Sequence, residues 1–95
     1  VLLDFNSFKT GSASSSTITV TETSHGRSTG DTVCFRDVTT FDGITATNLN
    51  KAAGYSITKI DADSYSFSVD TDTATTGNTK GGGGSASAGP VTITP

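Results

Sequence analysis

The stretch Thr17–Val38, TITVTETSHGRSTGDTVCFRDV, carries the clearest structural signal in the chain. From Thr17 to Thr23 the side chains alternate, with Ile18 and Val20 on one face and Thr17, Thr19, Thr21 and Thr23 on the other. A period of two in β-branched residues is the pattern of a half-buried strand. His25-Gly26 and Gly30-Asp31 then bracket a short polar loop, where each Gly permits a positive φ that Val or Thr adopts only at a cost. Val33 and Phe35 restart the alternation, with Thr32, Cys34 and Arg36 facing the other way. The reading is strand, tight loop, strand, with one apolar face.

Outward from this unit, the chain divides by composition. Residues 1–16 read as an extended N-terminal arm. Phe5 and Phe8 dock on something outside the module, and TGSASSS (Thr10–Ser16) is too small and polar to pack. Residues 17–75 form the β module. Its middle holds a long connection, Thr39–Gly54, with a turn at Asp42-Gly43 and a short helical turn through Asn48–Ala53. Thr45 or Thr47 caps that turn and Gly54 ends it; Phe41, Ile44 and Leu49 pin the connection. Tyr55–Ile60 reads as a third strand, Asp61–Ser64 as a hairpin turn and Tyr65–Asp70 as a strand with Tyr65, Phe67 and Val69 inward. Residues 76–90 form a flexible Gly/Ser/Thr-rich segment containing four consecutive glycines. Residues 91–95 hold a short C-terminal strand, VTIT. About five short antiparallel strands with one apolar face must roll into a small barrel or sandwich, so the expected fold is all-β.

Composition narrows the function. The chain has 95 residues, a size that suits one domain with a tail, and a net charge of −3. It begins at Val1 rather than at an initiator Met, as a processed product or a piece of a longer polypeptide does. About a third of it is Ser or Thr, against 16% charged residues, so the surface is wetted by hydroxyls rather than ion pairs. No segment accumulates the Lys and Arg that bind nucleic acid or anionic membranes. The longest apolar run, Val1–Leu3, falls far short of the roughly 20 residues that span a bilayer. A lone Cys34 makes no internal disulfide and suits assembly in a reducing cytosol.

No catalytic constellation is legible. His25 is the sole histidine, with Asp31 its one nearby carboxylate; before a Gly at a strand end it reads as a turn residue that hydrogen-bonds the local backbone. Cys34 lies mid-strand, and Arg36 on the same face is a weak cationic neighbour, so an inert thiol is the expectation. Asp61, Asp63, Asp70 and Asp72 break the calcium-loop pattern at Tyr65. Gly81–Gly84 lacks the Lys-Ser/Thr pair and the helix of a phosphate loop. Tyr55 and Tyr65 fall on core faces and there is no Trp, so glycan stacking is unsupported. No cofactor, metal or catalytic residue is assigned.

Four motifs occur in order: HGRSTGDTVCFRDV, FDGI, GYSITKIDADSYSFSVDTDTATTG and the glycine run. In that order the chain resembles small β modules of tailed-bacteriophage virion proteins, which recur in tail, neck and fibre polypeptides. Such modules are often labelled after the β domain inserted in ubiquitin-activating enzymes, a label of shape rather than activity. The likeness covers Phe8 to about Gly84; Ala52-Ala53-Gly54 departs from the commoner Leu-Asn-Gly at the third strand. It implies a non-enzymatic structural protein of the virion, assembled in the host cytoplasm, most naturally in the tail or neck as a spacer or contact module. Its partners are then other virion subunits in a symmetric homo-oligomer. Phe5, Phe8, Val91 and Ile93 are the candidate interface residues. Alternatives are a capsid-decoration or head-fibre module and a host-surface domain that binds glycan or protein.

Overall fold

The computed structural model describes residues 1–90. Seven strands and one helical turn follow in order: β1 (Phe8–Lys9), β2 (Thr17–Thr21), β3 (Thr32–Arg36), α1 (Ala46–Leu49), β4 (Tyr55–Ser56), β5 (Thr58–Asp61), β6 (Ser64–Ser68) and β7 (Ser87–Pro90). The fold is all-β and antiparallel. One sheet has the order β1-β2-β6-β5 and the other β4-β3-β7. The two lie face to face as a sandwich and do not close into a barrel.

The alternation of β2 and β6 sets the first sheet. Ile18 pairs with Phe67 and Val20 with Tyr65, all inward. The intervening rungs pair Thr17 with Ser68, Thr19 with Ser66 and Thr21 with Ser64. The outer face of this sheet is therefore a ladder of hydroxyls. Aromatic rings join the two sheets: Phe35 of β3 lies 5.0 Å from Phe8 edge-on and 5.0 Å from Phe67 in a stack. Tyr55 of β4 lies 4.7 Å from Phe67. Offset and edge-to-face pairs of this kind add roughly 0.5–1.5 kcal/mol each beyond the area they bury.

The stretch expected as one strand, Tyr55–Ile60, is two. Tyr55 and Ser56 pair with β3 in one sheet, whereas Thr58–Asp61 pairs with β6 in the other. Ile57, 2% exposed, fills the corner between them. The inward period holds from Tyr55 to Ile57 and stops at the corner, since all four residues of β5 are exposed; a strand that switches sheets changes its hydrogen-bonding partner at such a bend. The helical turn also sits earlier than expected. Thr45 is its cap, accepting from the Asn48 N–H, but the helix spans Ala46–Leu49 and ends at Asn50. Phe41, Ile44 and Leu49 are buried, as pins of that connection should be.

The largest departure concerns the two chain segments read as an arm and a flexible stretch. Residues 1–10 run antiparallel to residues 78–88 along an interrupted backbone ladder. Leu3 N–H donates to Ala86 O, Asn6 N–H to Gly84 O, Phe8 N–H to Gly82 O and Thr10 N–H to Asn78 O. Phe8 and Lys9 also pair with Val20 and Thr19, so the arm crosses from one sheet to the other. The glycine run packs tightly: a Cβ on Gly82 would sit 2.6 Å from Phe41 Cδ2. Glycine serves there to let backbone approach an aromatic ring, not to loosen the chain. The strand expected at Val91–Thr94 lies outside the described residues.

Candidate contact surface

The β2–β3 loop closes on a polar cluster. His25 is placed by backbone: its Nε2 contacts Asp61 O at 2.7 Å and its Nδ1 accepts the Arg27 N–H at 2.8 Å. The ring stands edge-on to Tyr65, 5.2 Å between centroids. Both ring nitrogens are thus used to shape the turn, as the His-Gly pattern implied. Asp31 instead accepts the Ser28 N–H within its own turn, at 2.8 Å.

Next to this turn lies a group that the sequence reading passed over. Glu22 is 6% exposed and accepts from Tyr65 Oη at 2.7 Å and from Arg27 Nε and Nη2 at 3.1 and 3.3 Å. Glu22 continues the inward set Ile18, Val20, so the period of two already placed it inside. Burial, and then the hydrogen bond to Glu22, push the Tyr65 phenol well above its ordinary pKa. The trio is an ion pair with a phenol in which both Glu22 oxygens are engaged, and it ties the loop to the core.

Asp42 is a second hub. Its carboxylate accepts from Thr10 Oγ1 at 2.7 Å, from the Thr76 N–H and hydroxyl at 2.8 Å each, and from the Gly77 and Asn78 N–H groups at 2.9 and 3.0 Å. The Thr10 hydroxyl foremost, with the Thr76 N–H, holds this carboxyl well below the usual carboxylate range. Asp42 thereby staples the end of the arm to the segment before the glycine run. Asp72 does the same for the helical turn: the Thr45 N–H, then the Asn48 amide, lower its pKa.

Cys34 is 5% exposed, its Sγ under the Lys51 and Ala52 carbonyls at 3.7 and 3.6 Å and in contact with Arg36 Nη1. Among the described residues, no group of three or more His, Cys, Asp or Glu side chains is placed to hold a metal ion. Asp61, whose pKa is lowered mainly by the Asp63 N–H, closes the β5–β6 hairpin turn. No helix among the described residues is long and apolar enough to cross a membrane.

The candidate interface residues separate sharply. Phe5 is 75% exposed, but Phe8 is 1% exposed, packed on Phe35, Phe41 and Phe67. Phe8 is a core residue and not a contact residue, because the arm is a strand of this molecule's own sheet. Val91 and Ile93 lie outside the described residues. Val1 and Leu2, which the sequence reading did not assign to the interface, are 73% and 76% exposed. Their signal was the apolar run Val1–Leu3, from which only Leu3 turns inward. Beside them opens a cleft of about 160 Å³ lined by Leu3, Asp4, Thr21, Glu22 and Thr23.

Edges differ in the same way. β5 is an outer strand, but Lys59, a register shift between Lys59 and Asp61, and the Thr29 hydroxyl on the Lys59 N–H all blunt it. β1 is covered by Gly82, which both donates to and accepts from Phe8. Val1–Leu3 extends the second sheet beyond β7 through the Leu2–Ser87 bridge. Among the described residues no proline or bulge interrupts Val1–Leu3, and the Leu2 N–H and C=O make no hydrogen bond. No protein-family model, curated protein or solved structure matches the chain.

Proposed function

We propose that this chain is a structural protein of a tailed-bacteriophage particle, a tail or neck component that acts as a contact module between subunits. The observation that carries the reading is the run of exposed apolar side chains Val1, Leu2 and Phe5 in one short segment, with Ile60 the one other large apolar side chain exposed among the described residues, beside a sheet face lined by Ser and Thr hydroxyls. Exposed apolar residues concentrated in one short segment mark an interaction site, and a hydroxyl face is inert toward casual partners. The ordered motifs from His25 to the glycine run support the phage setting. Chemistry is spoken for elsewhere in the molecule: His25, Glu22, Asp42 and Asp72 are each consumed in holding loops.

In this role the sandwich is a rigid body, and its copies follow the rotational symmetry of the particle. Purified, extensively washed particles should contain the chain in stoichiometric amount by quantitative mass spectrometry. Antibody labelling in electron micrographs should decorate the tail or neck at a fixed position. Removal of the chain by washing, or decoration of the capsid alone, would overturn the tail or neck assignment; the latter would establish the capsid-decoration alternative.

A further inference from the structure

We infer that the outer edge of Val1–Leu3 is a strand-acceptor site, filled by residues 91–94 of a second copy. The inference rests on the contact-module reading and names both the surface and its occupant. Backbone hydrogen bonds provide the recognition in such strand addition, and alternate side chains provide the fit.

The acceptor is defined by three observations. Val1 and Ala88 exchange backbone hydrogen bonds at 2.7 and 2.8 Å, and Leu3 N–H donates to Ala86 O, so this segment is a genuine sheet edge. The Leu2 N–H and C=O point away from β7. One flank of the edge is the exposed Leu2 side chain, and the other is the cleft formed by Thr21, Glu22 and Thr23.

The sequence VTIT fits both flanks at once. Val91 and Ile93 share one face and cover Leu2; Thr92 and Thr94 share the other and meet the polar cleft. A copy cannot supply this strand to itself. Pro90 lies two residues beyond Ala88, which is level with Val1. Reaching the outer side of Leu2 means crossing two strand spacings, about 9.6 Å, which takes about three residues at roughly 3.3 Å each. Residue 94 would then still lie short of Leu2. Donor and acceptor are different surfaces, so the contact is head-to-tail and builds rings or open arrays rather than a twofold dimer.

The test mixes two single-cysteine chains, each with Cys34→Ala: one carries Leu2→Cys and the other Ile93→Cys. Under mild oxidation the mixed disulfide should form several-fold faster than either self-pair, and several-fold faster than with Thr92→Cys in place of Ile93→Cys. Leu2→Pro, which removes only the outward N–H, should weaken association of the full chain about tenfold or more. Leu2 is exposed, so neither change disturbs the core, and circular dichroism verifies the fold. Equal or faster Leu2→Cys self-pairing, no preference for Ile93→Cys over Thr92→Cys, or unchanged association of Leu2→Pro would each overturn the inference. These results concern the purified chain alone. Presence in washed particles without the mixed disulfide refutes the strand contact, whereas the disulfide without particle incorporation refutes the virion role.

Discussion

Replacing Gly82 by Ala decides between two physical pictures of the glycine run, because they predict opposite signs. In a flexible tether, an added methyl only restricts the unfolded chain and stabilises the protein by about 0.4–1 kcal/mol. In the packed strap described above, the new Cβ would lie 2.6 Å from Phe41 Cδ2, 2.9 Å from Cγ and 3.0 Å from Cβ. Phe41 cannot simply retreat. It is 9% exposed, its ring is held 6.1 Å from Phe8, and its backbone N–H and C=O exchange hydrogen bonds with Ile44. Overpacking of this kind costs roughly 1–3 kcal/mol. Against a total of about 5–14 kcal/mol for a chain this long, the loss is large. Urea unfolding followed by tyrosine fluorescence should show the midpoint falling by on the order of 1 M. Gly89→Ala is the matched control: a Cβ there meets nothing within 4 Å, so it should be neutral or slightly stabilising. A Gly82→Ala midpoint equal to or above that of Gly89→Ala would refute the close packing of the strap and restore the tether.

Phe8→Ala should cost about 3–5 kcal/mol and Phe5→Ala less than about 0.5 kcal/mol; equal losses in denaturant titrations would contradict the inward and outward placement of the two rings. Glu22→Ala strands the Tyr65 hydroxyl and the Arg27 guanidinium in a largely buried site, so about 2–3 kcal/mol should be lost, read as a lower thermal midpoint. The folded pKa values of Asp42, Asp61 and Asp72 are all depressed. Their stabilisation is therefore complete above the ordinary carboxylate value of 3.8 and fades as pH falls through the depressed folded values. Asp42→Asn should flatten that acid limb in midpoint-against-pH curves; a limb unchanged by the substitution would show that Asp42 does not titrate as its five hydrogen bonds require. Cys34, under two carbonyls, should react with a thiol reagent only at the rate of opening, so mild denaturant should accelerate labelling steeply.

The parts of the fold legible in the sequence are those where side chains carry the pattern. Thr17–Thr21, Thr32–Arg36 and Ser64–Ser68 are each strands with the expected face inward, although in Thr32–Arg36 the outward-facing Cys34 is buried as well. The parts that were not legible are held by backbone and shape. In GGGGSASAG only Ser85–Ala88 alternates, with Ala86 and Ala88 buried, and two alanines are too small to announce a core strand; the glycines before them form the strap because the missing side chains are what allow Phe41, Phe8 and Val38 to approach. The arm was legible in principle. Phe5 and Phe8 are three apart, which in extended chain puts them on opposite faces, so only one of them was ever free to make an outside contact. Of the contact surface, the apolar run at Val1–Leu3 was visible in the sequence, but its position on an open edge depends on pairing with residues 86–88, some 85 positions away.

That pairing also bears on what kind of module this is. Val1–Leu3 runs inward from one end of the second sheet, and β7, antiparallel to it, runs outward to the same end. Val1 and Pro90 therefore lie at the same end of the sandwich. An in-line spacer needs its two attachments at opposite ends, so that load passes along the body. If both ends were attachments, load on them would fall first on the backbone hydrogen bonds between residues 1–3 and 86–88. The geometry suits a body that projects sideways from its attachment and presents its hydroxyl face outward. For the proposed virion module, that placement favours lateral contact over an in-line spacer.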